Sequence, residues 1–223
     1  MRELTDDLPK PMIAVRGKPI LLHIIEGLRD AGVTDFLLIV GYREDVVRDF
    51  FGDGSRAGVR VSYVTQVVQD GTGKVVELAR DFAGSDAFIL SYGDILVSPE
   101  NYRRLATLAE NTDAIISVKH APEEISKGGA VFVNDQMELT DLREKPQPGE
   151  PTSPWYNAGV YTFRPGIFEF TAKLKRSPRG EFELTDAIRD LALAGKKVQA
   201  IELAGDWADV RDPEVLRELN SAT

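Results

Sequence analysis

The chain has 223 residues, of which 43% are hydrophobic and 28% are charged, and its formal net charge is −9. This composition is typical of globular proteins, and the length suits one large domain with a sizeable core. Because the chain contains no cysteine, disulfides, thiolate metal sites and a cysteine nucleophile are excluded.

Charge and hydropathy also limit the partners. Lysines and arginines are scattered along the sequence, which argues against a nucleic-acid partner. An acidic chain that binds polyanions needs local cations or a metal at its site. Residues 1–7 lack the apolar stretch of a signal peptide, and no apolar run approaches the ~20 residues of a membrane helix. We therefore expect a cytoplasmic location and no membrane partner.

Hydrophobic periodicity predicts alternating strands and helices over the first 120 residues. After a loop over residues 1–11, the predicted strands are Met12–Val15, Phe36–Val40, Val59–Thr65, Ala87–Ser91 and Ala114–Val118. The predicted helices are Ile20–Ala31, Glu44–Phe51, Thr72–Phe82 and Glu100–Glu110. Strands separated by helices of this length indicate a parallel sheet with right-handed crossovers.

The pattern changes after residue 120, where turns replace most of the helices. Gly129–Val133 and Met137–Leu142 are predicted to form a hairpin. After a loop over 145–154, the remaining predicted elements are strands Asn157–Phe163 and Val198–Ile201 and helices 165–172, 184–193 and Pro213–Asn220. We therefore expect a single α/β domain, 1–223, in which a mostly parallel sheet flanked by helices is joined to a mixed C-terminal part.

Two aspartates are candidate metal ligands. Asp94 follows the strand Ala87–Ser91, which is predicted to be buried on both faces. In an open α/β sheet, ligands bind beyond the carboxyl ends of the strands, so Asp94 suits a metal; its alternative role is to cap the turn before the next helix. Asp209 is the candidate partner, since two carboxylates can hold one Mg²⁺ together with water and substrate phosphates. Spacing alone does not establish that the two meet.

Two lysines lie next to prolines. Lys10 is enclosed by two prolines, which stiffen the backbone, and a compact ammonium suits a phosphate. The alternative is a solvated lysine in a loop. Glu144 and Lys145 precede Pro146, and here the choice is between a surface ion pair and a pair in which Glu144 accepts from a hydroxyl-rich ligand while Lys145 meets a phosphate.

The segment Gln69–Gly73 follows a strand and begins a helix. Backbone N–H groups in such a turn can meet an anion or a base edge. The segment has neither the Lys-Ser/Thr ending of a P-loop nor the third glycine of a dinucleotide fingerprint. Gln66, just before it, has an amide that suits a base, whereas the alternative is an ordinary strand-to-helix turn.

These segments together resemble the sugar nucleotidyltransferase family, the nucleoside-triphosphate:sugar-1-phosphate nucleotidylyltransferases. The most similar members are the glucose-1-phosphate thymidylyl- and uridylyltransferases. One motif is weak evidence, but a series of motifs in order over nearly the whole chain is strong evidence. The motifs are Leu8–Met12 with Gly17–Ile20, Ala31–Thr34, Tyr63–Gln66 with Asp70–Gly73, Tyr92–Asp94, Glu144–Pro146, Asn157–Tyr161, Glu183–Asp186 and Trp207–Asp209.

The resemblance implies a nucleotide-binding part, 1–120, and a sugar-binding part, 121–223. The implied reaction transfers a nucleoside monophosphate from dTTP or UTP to a sugar-1-phosphate, with glucose-1-phosphate the expected acceptor. Mg²⁺ and lysines stabilise the charge in such a transfer. The implied metal ligands are Asp94 and Asp209, and the implied catalytic residues are Lys10, Asp94 and Lys145. The implied nucleotide-binding residues are Lys10, Gln66, Gly71 and Thr72, and the sugar-binding ones are Gly129, Glu144, Lys145, Asn157, Gly159 and Glu183.

Departures from the family pattern add an alternative. Members begin with a strand and a glycine-rich loop that cradles phosphates, and the resemblance implies that both are missing before Met1. A catalytically silent homologue that binds a sugar or nucleotide sugar is therefore the alternative function. Gly128 stands where members often have an aromatic residue, which leaves the sugar open. We expect no left-handed β-helix acyltransferase domain after Asp209, whereas a homo-oligomer is common in the family.

Overall fold

The computed structural model describes residues 8–211 and 213–221, so most of the predicted loop over 1–11 lies outside the described residues. Within them the strands are β1 Ala14–Val15, β2 Lys18–Pro19, β3 Asp35–Val40, β4 Arg60–Thr65, β5 Phe88–Ser91, β6 Ile95–Val97, β7 Ala114–His120, β8 Gly129–Val133, β9 Leu139–Glu144, β10 Trp155–Phe163, β11 Val198–Glu202 and β12 Trp207–Asp209. The α-helices are α1 Ile20–Asp30, α2 Glu44–Phe51, α3 Thr72–Glu77, α4 Arg80–Ala83, α5 Glu100–Ala106, α6 Phe168–Thr171, α7 Leu184–Leu193 and α8 Pro213–Ser221. No helix in this part of the chain is both long enough and apolar enough to cross a membrane.

The chain forms two compact units, each built from separate segments. Unit 1 consists of the described residues of Met1–Val67, Ser91–Arg104 and Ala204–Thr223. Unit 2 consists of Val68–Leu90 and Leu105–Leu203. The predicted parts 1–120 and 121–223 follow chain order, whereas the units interleave along the sequence. That all 223 residues make one domain stays a prediction.

In the part of the chain that the structure describes, unit 1 contains three two-stranded sheets, β1–β2, β3–β4 and β6–β12, together with helices α1, α2 and α8. β1 and β2 are antiparallel. β3 and β4 are parallel, as predicted for strands separated by a helix. β6 and β12 form an antiparallel pair. Helix α1 buries Ile20, Ile24 and Leu28 on one face, at the spacing that predicted it. Gly27 lies on the same helix, and a Cβ there would lie 2.6 Å from Cδ2 of the Tyr102 ring.

Unit 2 is organised around the larger sheet, whose strand order is β11–β7–β10–β8–β9, with β5 also pairing β10. β11 and β7 are parallel, whereas the β7–β10, β10–β8 and β8–β9 ladders are antiparallel. The mixed pairing expected for the C-terminal part is therefore present, and the predicted α/β class is confirmed. The fully buried side chains of this unit include Ile116, Tyr161, Phe163, Leu184 and Ile188.

Two predicted helices are shorter than their sequence patterns indicated. Thr72–Phe82 was predicted as one helix, but α3 tightens after Glu77 through bonds from the Leu78 and Ala79 amides to carbonyls three residues back. The predicted helix Glu100–Glu110 ends at Ala106. The Arg164 guanidinium donates to the Ala109 and Glu110 carbonyls, which therefore do not continue the helix.

Other predictions were wrong in detail at the strands. Met12–Val15 is not one strand, because Lys10–Met12 forms a 3-10 turn before β1. β5 is only half-buried along its length, against the prediction of a strand buried on both faces. The hairpin after residue 128 is present, but its second strand is Leu139–Glu144. This shift places Glu144 within a strand.

Candidate functional site

Lys10 and Asp94 are 84 residues apart in sequence and meet in unit 1, where Nζ lies 3.4 Å from Oδ2. Lys10 has a proline on either side and begins the 3-10 turn. The Pro11 ring lies against Gly93, where a Cβ would lie 2.9 Å from Cγ of that ring. The glycine before Asp94 therefore admits a proline of the chain itself, and this contact holds Lys10 beside Asp94.

Asp209 is brought to the same end of unit 1 by strand pairing. In the antiparallel β6–β12 ladder, Asp209 lies opposite Ile95. The next residue along, Val210, donates its amide to the Asp94 carbonyl at 2.9 Å. Arg211 pairs with Asp209, its Nε lying 3.1 Å from Oδ2. We call Lys10, Asp94, Asp209 and Arg211 the carboxylate cluster.

The carboxylate cluster has the composition of a Mg²⁺ site that is completed by its substrate. Mg²⁺ is usually held by one or two carboxylates, several waters and substrate phosphates. Within the described residues there is no group of three or more histidine, aspartate or glutamate side chains placed to hold a metal. Two carboxylates at adjoining strand ends, each with a cationic neighbour, fit a metal that shares its ligands with phosphates.

The predicted nucleotide-binding residues fall in both units. Gln66 directly follows β4 in unit 1, and its backbone N–H donates to the Val40 carbonyl at 2.7 Å. Gly71 and Thr72 belong to unit 2. A Cβ on Gly71 would lie 2.5 Å from the Phe182 backbone nitrogen, so the glycine is required there by a close approach of the chain to itself.

Three of the predicted sugar-binding residues converge in unit 2. Glu144 lies opposite Gly129 in the β8–β9 ladder. A Cβ at Gly129 would lie 3.0 Å from Cβ of Asn157 and 3.6 Å from Oε2 of Glu144. The three residues, which come from three different strands, therefore lie close together, and the lack of a side chain at Gly129 permits this close approach.

Glu183 joins this group through an arginine that sequence reasoning missed. Nη1 of Arg179 lies 3.5 Å from Oε1 of Glu144 and 3.3 Å from Oε1 of Glu183. Glu183 is 5% exposed and also accepts from Ser177 Oγ at 3.1 Å. One guanidinium therefore bridges two carboxylates. We call Gly129, Glu144, Asn157, Arg179, Glu183 and Thr185 the glutamate cluster.

The electrostatics of this cluster raise the pKa of Glu144 above its ordinary value. Burial raises the pKa of Glu144, and the negative charge of Glu183 raises it further, while Lys145 and Arg179 oppose both effects. The Thr185 hydroxyl also lowers the pKa of Glu144, yet its geometry does not make a hydrogen bond with any described residue. Thr185 is 3% exposed, so its unpaired hydroxyl is a buried polar group that calls for a ligand or water.

Lys145 has an unusual backbone. Its φ of +44° lies in the left-handed region, which L-residues other than glycine and asparagine rarely adopt. Its amide donates to the Gly128 carbonyl at 2.8 Å, and Pro146 follows. Strain of this kind persists where the surrounding structure enforces it, and it is concentrated at functional sites. The turn therefore sets the direction of the Lys145 side chain.

Gly159 lies at an irregular point of strand β10, where its backbone has a positive φ. Its φ of +81° coincides with a break in the β10–β7 register between Asn157 and Tyr161. The Asn157 side chain accepts from the Gly159 amide at 3.4 Å and donates to the Tyr161 hydroxyl at 2.7 Å. The irregular strand thus orients the Asn157 amide.

Gly128 departs from the family pattern for a visible reason. A Cβ at Gly128 would lie 2.5 Å from Cζ of Tyr156 on the neighbouring strand. The ring of Tyr156 therefore fills the space beside this backbone.

Sequence reasoning missed Ser177, Arg179, Thr185 and Arg211. The i, i+4 spacing of Arg179 and Glu183 was a visible signal for an ion pair. Thr185 lies within the Glu183–Asp186 motif, but its burial became evident only from the fold. Arg211 carried no signal in the sequence.

The family model described as Nucleotidyl transferase matches residues 1–223, and the chain belongs to this family. The sugar nucleotidyltransferase resemblance is thereby confirmed. It is also supported by curated relatives that are more than 30% identical over nearly the whole chain.

Three relatives illustrate the range of the similarity. The bifunctional protein GlmU of Methanocaldococcus jannaschii is 39% identical over 220 residues, covering 99% of this chain and 50% of the relative. The glucose-1-phosphate thymidylyltransferase of Streptomyces griseus is 35% identical over 223 residues, covering 99% of this chain and 61% of the relative. The UTP–glucose-1-phosphate uridylyltransferase AglF of Haloferax volcanii is 34% identical over 216 residues, covering 96% and 87%. The chain thus spans about half to three fifths of the length of the first two.

Solved structures share the fold. A UDP-glucose pyrophosphorylase in complex with UDP-glucose matches with a TM-score of 0.88 and 24% identity, covering 98% of this chain and 91% of that one. An apo UDP-glucose pyrophosphorylase matches with a TM-score of 0.87 and 23% identity, covering 100% and 92%. The α/β arrangement is therefore that of known nucleotidyltransferases.

Proposed function

We propose that this chain transfers a nucleoside monophosphate from dTTP or UTP to a sugar-1-phosphate, with release of pyrophosphate. Glucose-1-phosphate is the proposed acceptor, because the names of two of the relatives specify glucose-1-phosphate. The observation that carries the proposal is the meeting of Lys10, Asp94 and the strand of Asp209 in unit 1. A cation and two carboxylates gathered from distant segments are suited to a metal-bound triphosphate.

The residues of unit 1 are assigned to the nucleotide. Lys10 contacts the triphosphate as a compact cation, and Gln66 donates to and accepts from the imide edge shared by uracil and thymine. Asp94 and Asp209 hold Mg²⁺, which neutralises phosphate charge when bound. Within unit 2, Gly71 and Thr72 are assigned a separate nucleotide contact, made by the loop that contains them.

The glutamate cluster is assigned to the sugar phosphate. Carboxylates and amides accept from and donate to neighbouring hydroxyls, which suits Glu144, Glu183 and Asn157 to a sugar ring. The unpaired hydroxyl of Thr185 is a further donor for such a ligand. Lys145, whose turn sets its direction, binds the sugar phosphate.

The test is pyrophosphate release with Mg²⁺, glucose-1-phosphate and each of UTP, dTTP, GTP, CTP and ATP in turn. We expect turnover with UTP or dTTP and at least roughly a hundredfold loss in Asp94→Asn, because a metal ligand is removed. Asp206→Asn is the matched control, since Asp206 is exposed and lies three residues before Asp209. Its turnover should equal that of the unchanged chain.

Two outcomes would contradict the proposal. Unchanged turnover by Asp94→Asn would remove the metal assignment. Calorimetric binding of glucose-1-phosphate without turnover for any nucleotide would favour the alternative, a silent homologue that keeps the glutamate cluster.

A further inference from the structure

The loop Asp70–Gly73 is joined to the segment that carries Glu183. Phe182 donates its amide to the Asp70 carbonyl at 2.8 Å, and Gly73 donates to the Phe182 carbonyl at 2.8 Å. A side chain at either glycine would collide with this segment or with Leu174 beside it. All of these residues lie in unit 2. The loop and the segment therefore form one tightly packed structure.

Thr72 adds a side-chain bond to this structure. Its Oγ1 accepts from the Leu184 amide at 3.1 Å. Leu184 is the first residue of α7, and the preceding Glu183 makes no side-chain capping bond to the helix. The first amides of a helix lack partners within it. Thr72 thus supplies, from 112 residues away, an acceptor for the N-terminus of α7.

The bonded amide belongs to the peptide that joins Glu183 to Leu184. Phe182, on the other side of Glu183, is held at both its amide and its carbonyl. The backbone of Glu183 is therefore fastened on both sides by the loop, while its carboxylate faces Ser177 and Arg179. The position of the carboxylate depends on the loop.

We propose that Thr72 is a positioning residue for the sugar-binding carboxylate Glu183, acting through the Leu184 amide. This role rests on the proposed function and goes beyond the nucleotide contact assigned to Thr72. Loss of the hydroxyl frees the start of α7 and displaces Glu183. Binding of the sugar phosphate then weakens, while a nucleotide contact made by the loop backbone is kept.

The test compares Thr72→Val, which removes the hydroxyl at nearly constant shape, with Thr72→Ser, which keeps it. We expect the KM and calorimetric Kd for glucose-1-phosphate to rise roughly fivefold in Thr72→Val, as for the loss of one hydrogen bond that orients a group. The KM for the nucleotide should stay within about twofold of its value in the unchanged chain. Thr72→Ser should restore both the KM and the Kd for glucose-1-phosphate. Hydrogen exchange of the Leu184 amide should accelerate in Thr72→Val and not in Thr72→Ser.

Thr162→Val is the matched control. Its hydroxyl donates to the Leu105 carbonyl within the same unit and makes no described bond to the glutamate cluster. We expect a lower Tm with an unchanged KM for glucose-1-phosphate. If Thr72→Val does not fold, Thr72→Ala provides the same comparison with a smaller side chain.

The outcomes separate this inference from the proposed function. A selective rise in the KM for the nucleotide in Thr72→Val would overturn the positioning role. An unchanged Kd for glucose-1-phosphate together with slow exchange at Leu184 would overturn it as well. Absence of both turnover and sugar-phosphate binding in the unchanged chain would instead overturn the proposed function.

Discussion

Glu144 and Glu183 share one guanidinium, that of Arg179, and the two carboxylates therefore remain undercompensated. A half-buried carboxylate beside a second one is costly to ionise. Under the proposed function a sugar offers hydroxyl donors to these oxygens, so we expect sugar binding to offset this electrostatic cost. We therefore expect the Glu144 carboxylate to lower the free energy of unfolding while it contributes to binding.

The raised pKa of Glu144 gives stability a predictable pH dependence. With a folded pKa above the unfolded value of about 4.3, the folded state binds more protons, and this contribution to stability falls as pH rises through that interval. Glu144→Gln should therefore be more stable than the unchanged chain at pH 7, with an advantage that disappears below about pH 4. Urea unfolding across this range measures it.

The exposed Glu169→Gln is the control, since it removes a carboxylate outside the cluster. If the stability gained by Glu144→Gln grew as the pH fell, the pKa of Glu144 would be lowered in the folded state rather than raised. We also expect Glu144→Gln to bind glucose-1-phosphate more weakly, because an amide replaces one acceptor oxygen with a donor.

Three residues of the carboxylate cluster were named from the sequence, whereas Arg211 was not. Lys10, Asp94 and Asp209 were chosen from family motifs, and the fold brings their segments together in unit 1. Arg211 and Arg179 depend on which surfaces meet, which no local pattern encodes. Their roles in binding stay predictions until the variants are measured.

At the scale of elements, regular amphipathic segments were predicted with accurate bounds. The ranges Glu44–Phe51 and Leu184–Leu193 agree with the sequence pattern, since each has a clear apolar face. β6 and β12 were missed because three residues are too few to show alternation. Yet this short ladder brings the Asp94 and Asp209 segments together. The strands with the least sequence signal therefore position two residues of the carboxylate cluster.

Helix α1 provides a test of packing at this scale. Gly27 lies in the helix interior, where Ala ordinarily adds up to about 1 kcal/mol of stability. Here the Tyr102 ring occupies the space of the added methyl. We expect Gly27→Ala to destabilise the protein by about 1–3 kcal/mol in urea unfolding, as overpacking does.

The same substitution made in a Tyr102→Leu background gives the control. The smaller side chain leaves space, so the cost of Gly27→Ala should shrink or change sign. An equal cost in both backgrounds would show that the ring is not the cause.

At the scale of the whole molecule, the charge of −9 opposes the approach of a nucleoside triphosphate. Salt screens this long-range repulsion, since the Debye length is about 10 Å at 0.1 M, but it screens contacts of a few ångströms much less. We expect the KM for the nucleotide to fall or stay constant as NaCl rises from about 20 to 150 mM at fixed Mg²⁺. A steep rise would mean that a basic surface steers the nucleotide instead.

The interleaving of the two units was beyond sequence reasoning. Periodicity shows where strands and helices lie, but the grouping of Ser91–Arg104 and Ala204–Thr223 with the first segment depends on long-range pairing. The division into a nucleotide-binding part, 1–120, and a sugar-binding part, 121–223, stays a prediction. The α/β class, by contrast, was predictable from the order of strands and helices along the chain alone.

This interleaving also has a consequence for biosynthesis. Lys10 and Asp94 leave the ribosome early, whereas the strand of Asp209 follows every residue of unit 2, which ends at Leu203. Domains begin to fold during synthesis, in the order in which their residues appear. The glutamate cluster can therefore assemble on the nascent chain before the second aspartate exists. On a translating ribosome, every residue of the glutamate cluster is therefore present before Asp209 of the carboxylate cluster has been added.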